Sequence, residues 1–181
     1  MRTRRRDSTA PGPLIPRLRW LATALALAGP LLADEARASC TALGLVTCSM
    51  TVTATALAFG TYNPNAPAGA SDLSSTIDIT GTVFGVGLLT TLSYTVSLSA
   101  GTGGTVADRK LLGSGGSLSY NLYTDSNRST VWNTVADSIQ ALATILGTST
   151  NRQYTVYGAI PPGQYLAPGL YSDTIVVTIT H

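Results

Sequence analysis

Few side chains in this sequence could carry chemistry. The single histidine, His181, is the last residue. A Ser-His-Asp triad or a histidine metal site needs its imidazole held in a pocket, and a chain-terminal residue usually frays. Glu35 is the only glutamate, and beyond Ala38 the acids are Asp72, Asp78, Asp108, Asp125, Asp137 and Asp173. Most sit beside turn residues, where aspartate commonly caps backbone groups. No two stand out as the facing pair that glycoside hydrolysis requires. Gly113-Ser114-Gly115-Gly116 lacks the Lys-Ser/Thr ending of a phosphate loop and precedes a strand-like run, so it reads as a flexible inter-strand loop. Asn127-Arg128-Ser129 fits a glycosylation sequon, a tripeptide too common to weigh much. The expectation is a non-enzymatic domain with no cofactor and no metal. The remaining reactive pair is Cys40 and Cys48, eight apart, expected to form a disulfide in an exported chain.

The charge distribution sets the compartment. Seven of the eleven basic residues lie in the first 37 positions. Beyond Ala38 only Arg109, Lys110, Arg128 and Arg152 face the six aspartates, a balance of 4 − 6 = −2. A slightly acidic domain offers no basic stripe for nucleic acid. The positive segment ends at Arg19, an apolar stretch runs from Trp20 to Ala33, and Ala36-Arg37-Ala38 places small residues where signal peptidase reads. Residues 1–38 are therefore expected to be a secretory signal peptide, with the mature domain at 39–181. Arg5-Arg6 lacks the close apolar follow-on of a twin-arginine signal, and Arg37 stands where a lipoprotein box before Cys40 wants leucine. The apolar stretch is too short for a comfortable membrane span, and no second one is long enough. The product is expected in the periplasm, then outside the cell or on its surface.

Elements that could position anything are almost all strands. Leu92, Tyr94, Val96 and Leu98 alternate with Ser and Thr. Leu118, Tyr120 and Leu122 form a second run, and Ile175, Val177 and Ile179 a third. Ile77, Ile79 and Val83 suggest a fourth, interrupted by Gly81; Met50 to Phe59 and Tyr154 to Tyr157 supply two more. Gly60 to Pro64, Gly101 to Gly104, Gly113 to Gly116, Pro161-Pro162-Gly163 and Pro168-Gly169 punctuate them. Short strands with Gly/Pro turns indicate a β-sandwich. Only Val135, Ile139, Leu142, Ile145 and Leu146 depart from the pattern; spacings of three and four leave a short helix or a packed loop open. Of the eight tyrosines, Tyr94 and Tyr120 fall on alternating faces and read as core.

Several segments together resemble the spore coat protein U domain family. They are Leu57-Ala58-Phe59-Gly60-Thr61-Tyr62-Asn63-Pro64; Arg109 to Leu112 followed by Leu118 to Asp125; Val131-Trp132; Tyr157 to Pro161; and Gly169 to Ile179. That family includes subunits of archaic, Csu-type chaperone–usher pili. The resemblance implies an immunoglobulin-like sandwich lacking a strand, which a periplasmic chaperone and then a neighbouring pilus subunit supply, with an outer-membrane usher assembling the fibre. Adhesion or biofilm formation would follow. A non-fibrous spore or cell coat protein and a carbohydrate-binding adhesin domain are the alternatives. Members usually carry a cysteine some nine residues before the Phe-Gly and another ending the next strand; here those positions are Met50 and Gly81, which the resemblance places on neighbouring strands. It also makes Ser39 to Ser49 the segment donated to a neighbour. A Cys40–Cys48 disulfide would fold that segment back, leaving a subunit that accepts a strand but donates poorly.

Overall fold

The computed structural model describes residues 46–180 apart from Leu88, together with the backbone of Ala24–Leu27. Among these residues every regular element is a strand. They are β1 (Ala24–Leu27), β2 (Val46–Ala54), β3 (Ala58–Tyr62), β4 (Asp72–Gly85), β5 (Leu89–Leu98), β6 (Arg109–Gly113), β7 (Gly116–Tyr123), β8 (Thr134–Leu142), β9 (Thr148–Ala159), β10 (Gly169–Ser172) and β11 (Val177–Thr180). One sheet runs in the order β2-β4-β9-β7-β6-β10-β1-β3, and β11-β5-β8 form the second. All pairings between these strands are antiparallel except β1 with β10. The two sheets pack as a β-sandwich around one core.

The alternation read from the sequence lies on the expected faces. Leu92, Tyr94, Val96, Leu98, Leu118, Tyr120, Leu122, Ile175, Val177 and Ile179 are all buried. They meet Ile77, Ile79, Val83, Leu111 and Trp132 between the sheets. Phe59 packs edge-on against Tyr120, with ring centroids 5.8 Å apart.

Three local readings change. The Met50 to Phe59 run is two strands, because the chain leaves β2 after Ala54 and re-enters a ladder at Ala58; Gly60 to Tyr62 belong to β3, and the turn begins at Asn63. Gly113 to Gly116 is a tight hairpin, not a flexible loop: Gly113 pairs with Gly116 across a two-residue turn. Gly116 has φ +119°, a conformation glycine adopts freely, and a Cβ at Gly115 would run into the Tyr171 hydroxyl. Val135 to Leu146 is neither helix nor packed loop. It is β8 and the turn after it, with Ile139, Ala141 and Ala143 buried. Two alanines and Asp137 occupy the inward phase, so the apolar residues that caught the eye are partly outward ones. Leu142, Ile145 and Leu146 are exposed, the last two at 81% and 88%. Leu142 pairs with the exposed Leu89, and Phe84 bridges to Thr144, so these residues gather at one end of the sandwich.

Gly158, in β9, lies between Leu73 of β4 and Leu122 of β7. A Cβ there would run into Leu57 and stand 2.9 Å from the Phe59 ring. Gly158→Ala is therefore expected to cost about 1–3 kcal/mol by overpacking. A urea midpoint equal to that of the unsubstituted chain would show that β3 yields without strain.

Candidate functional site

No strand of the 46–180 domain pairs with β3; its ladder partner is β1. Leu25 stands opposite Thr61 and Ala26 opposite Gly60 in that antiparallel pair. On the other side Leu25 stands beside Leu170 and Ala26 beside Tyr171 of β10, in parallel. β1 thus occupies a slot between β3 and β10. An apolar cavity lies between the sheets nearby, lined by Leu57, Phe59, Leu111, Tyr120, Ile175 and Val177, among others. With β1 removed, the facing edges of β3 and β10 present unpaired N–H and C=O groups over apolar side chains. Such an edge recruits a strand.

The loop after β9 fixes β3 from its far end. The Tyr62 hydroxyl donates to the Pro161 carbonyl at 2.8 Å and accepts the Gln164 N–H at 3.0 Å. The Gln164 side chain accepts from the Ser119 N–H at 2.7 Å and donates to the Ser119 carbonyl at 2.9 Å. A side-chain amide here satisfies a backbone position on β7.

A buried polar cluster lies deeper in the sandwich. Arg109 has no exposed surface. Its Nε donates to the Ser99 carbonyl (2.9 Å) and Nη1 to Asn121 Oδ1 (2.7 Å) and the Val106 carbonyl (3.2 Å). Nη2 donates to the carbonyls of Leu98 (3.2 Å) and Trp132 (2.9 Å). The guanidinium ties β5, β6, β7 and the segment entering β8. Asp173, just past β10, is also buried. Its Oδ1 accepts from the Thr102 N–H and hydroxyl at 2.7 Å each, and Oδ2 from the Tyr120 hydroxyl at 2.8 Å. Burial and the bond to Asp173 push the Tyr120 phenol well above its ordinary range, and burial lowers the Arg109 guanidinium. The Arg109 guanidinium and the Asp173 carboxylate bond both backbone and neighbouring side chains, and the Tyr120 hydroxyl bonds Asp173, so the cluster positions strands.

The other aspartates are individually occupied. Asp72 pairs with Arg128 at 3.0 Å and Asp108 with Lys110 at 2.7 Å. Asp78 accepts from Gln153 at 2.7 Å. Asp125 closes the turn before Val131 by accepting from the Ser129 and Thr130 N–H groups. Asp137 accepts from the Tyr154 hydroxyl at 2.6 Å and lies 3.3 Å from Arg152 Nε. No cluster of three or more metal-ligating side chains occurs among the described residues. Glu35, Cys40 and His181 lie outside them. Cys48 is half-buried on β2, opposite Val83.

The expected donor segment Ser39 to Ser49 needs correction, because β2 already takes Val46 to Ser49 into its ladder with β4. Seven residues, 39–45, precede that strand in a chain beginning at Ser39.

Hydrogen bonds from Tyr154 and the Ser138 N–H, with Arg152 nearby, hold the Asp137 carboxyl below the usual carboxylate range. A depressed carboxyl stabilises the fold above its unfolded pKa of about 3.9, and that contribution is lost as pH falls through the folded value. Asp137→Asn is thus expected to lower the urea midpoint at pH 7, with the difference from the parent chain shrinking below about pH 4. A difference independent of pH would mean that the carboxylate charge contributes nothing.

Fold and slot define an all-β sandwich domain in which β1 of residues 24–27 pairs with both β3 and β10. The sequence comparison gives the family: the chain matches the spore coat protein U domain over residues 35–178 and belongs to that family. It is 33% identical to Protein U of Myxococcus xanthus over 132 residues, 68% of this chain and 70% of that protein. Among solved structures it is similar, at 19% identity and a TM-score of 0.46, to a chain of the CsuC–CsuE chaperone–tip adhesion subunit pre-assembly complex from archaic chaperone–usher Csu pili of Acinetobacter baumannii. The match covers 76% of this chain and 40% of that one, so this chain spans about two fifths of its neighbour's length. Among the described residues no helix is long and apolar enough to cross a membrane.

Proposed function

We propose that the mature domain is a strand-accepting structural subunit of a surface pilus. A periplasmic chaperone fills the slot between β3 and β10 first, and a neighbouring subunit fills it after the outer-membrane usher has acted. The observation that carries this reading is the origin of the closing strand. β1 comes from residues 24–27, whereas the family match begins at residue 35. Among the described residues of the family match, none pairs with β3. The expected signal cleavage after Ala38 would remove β1 altogether.

A short N-terminal extension gives the subunit a polarity. With β2 starting at Val46, residues 39–45 span at most about 23 Å at 3.3 Å each. A Cys40–Cys48 bridge would need the two Cα atoms within about 7 Å, folding that segment back toward β2. Both features suit an acceptor that donates poorly, as at the end of a fibre.

Co-expression tests the reading. The chain is exported with and without a co-expressed periplasmic chaperone of the archaic chaperone–usher class, and the processed product is followed by intact mass and gel filtration. The expected result is a one-to-one complex with the chaperone, and aggregation or degradation without it. A processed monomer that accumulates stably on its own would sink the proposal.

A further inference from the structure

We propose that the open edge of β8 is a second strand-pairing surface, kept closed by Asp137 and Arg152, and that the strand it takes when they are removed is β8 of another copy of this chain. The inference goes beyond the slot between β3 and β10 and does not rest on it.

β8 ends its sheet: the order is β11-β5-β8, and among the described residues only β5 pairs with it. At the head of that ladder the Leu98 N–H donates to the Asn133 carbonyl at 3.1 Å. Bonded and non-bonded positions alternate in an antiparallel pair, so Val135, Asp137, Ile139 and Ala141 turn their backbone groups toward β5. Those of Thr134, Ala136, Ser138, Gln140 and Leu142 point away from it. A strand of nine residues without proline, with a row of outward N–H and C=O groups, is an edge of the kind that pairs with another chain.

The centre of that edge is already taken. The Ser138 N–H donates to Asp137 Oδ1 at 2.7 Å, and the Ser138 carbonyl accepts from Arg152 Nη2 at 3.3 Å. Both groups belong to an outward position, and side chains of the same chain satisfy both. The guard is held from the core. Arg152 and Tyr154 are in phase with the buried Val156 on β9, so they project toward the second sheet. The Tyr154 hydroxyl donates to Asp137 Oδ2 at 2.6 Å and accepts from the hydroxyl of the buried Tyr94 at 2.8 Å. Arg152 Nε lies 3.3 Å from the same carboxylate oxygen. An inward-pointing charge on an edge strand is one of the devices that blunt such edges.

The occupant follows from the strand itself. Laid antiparallel on a second copy about a twofold axis through Ser138, β8 sets Ala136 opposite Gln140 and Thr134 opposite Leu142. Asp137 is the one charge in the strand, and in that pairing it stands opposite Ile139 of the other copy, a carboxylate against an apolar neighbour. The same residue thus fills a hydrogen-bonding position and opposes the pairing by its charge. Without it the two strands are neutral and self-complementary, and the two small sheets join into one.

Self-association of the full-length chain tests this, read by sedimentation velocity over a range of concentrations. Asp137→Ala combined with Arg152→Met should lower the dimer dissociation constant at least about tenfold, because both Ser138 groups are released in each copy. Alanine is chosen because asparagine would keep an oxygen for the Ser138 N–H. Adding Ala136→Pro should return the constant to its starting value, since it removes an outward N–H and leaves the ladder with β5 intact. Ser138→Cys in the double variant should give an intermolecular disulfide that peptide mapping places between the two copies of position 138. Arg152→Met alone frees only the carbonyl and should move the constant the same way by less; it decides the matter if the double variant does not fold. Association no stronger than that of the unsubstituted chain overturns the proposal, and so does association that survives Ala136→Pro.

Discussion

Replacing Arg109 by methionine is expected to destabilise the domain by roughly 3–5 kcal/mol, enough to unfold many domains of this size at 37 °C. The substitution roughly preserves side-chain volume, so the loss is electrostatic. It takes the guanidinium donor from the carbonyls of Leu98, Ser99, Val106 and Trp132, while the Asn121 side-chain oxygen keeps the Leu122 N–H. A buried acceptor stripped of its partner costs about 1–3 kcal/mol, though several lost together relax and do not add fully. Arg109→Lys keeps the charge but loses the planar fork that reaches carbonyls on three sides, so it should recover less than half of the loss. Arg152→Met is the control. Arg152 is exposed and pairs with Asp137 at 3.3 Å, and such a pair is worth about 0–1 kcal/mol. Urea midpoints of the unprocessed chain read all three. An Arg109→Met midpoint within the range of the Arg152 control would show that the cluster is ornamental to stability.

Arg109 also shows what could and could not be read from the sequence. The run Arg109-Lys110-Leu111-Leu112 puts Arg109 in phase with Leu111, which is buried. Asp173 is likewise in phase with Tyr171, Ile175, Val177 and Ile179. A charge on the inward phase of a strand is a signal that it is buried and bonded, and that signal was present. Which carbonyls it meets was not, because they come from β5 and the segment before β8, set by tertiary packing alone. Alternation located β5, β7 and β11 because large apolar residues fill their inward positions. It failed for β8, where Asp137 and Ala141 hold two of the four inward positions and a period of two has little contrast to show. The slot was legible only through the resemblance. A missing strand leaves no mark on the sequence that lacks it, and the segment that fills the slot lies in what reads as a leader.

Met50→Cys combined with Gly81→Cys is expected to form a disulfide and stabilise the domain by roughly 3–4 kcal/mol, since it closes a loop of about 30 residues in the unfolded chain. The two positions are direct partners in the ladder between β2 and β4. Facing residues in an antiparallel pair have Cα atoms about 4.5–5.5 Å apart, inside the range a disulfide spans. The space is also suitable. A Cβ at Gly81 would meet Ile139 Cδ1 at 3.4 Å and Leu92 Cδ2 at 3.5 Å, ordinary contacts that place it on the inner face, and Met50 is 2% exposed on that same face. Exchanging methionine for cysteine removes volume that the second sulfur partly refills, so the net gain should fall toward the lower end of the range. The outcome bears on the family alignment as well as on stability. The resemblance to the family implies cysteines at these two places, and here the sequence has Met50 and Gly81 there while Cys40 and Cys48 are present. If the resemblance aligns these positions correctly, the site should accept a bridge without distortion. Thiol titration and peptide mapping would report the bridge, and urea midpoints with and without reductant its worth. A double variant that stays reduced in an oxidising buffer, or is less stable oxidised than reduced, would mean that Met50 and Gly81 do not face each other in bridging geometry.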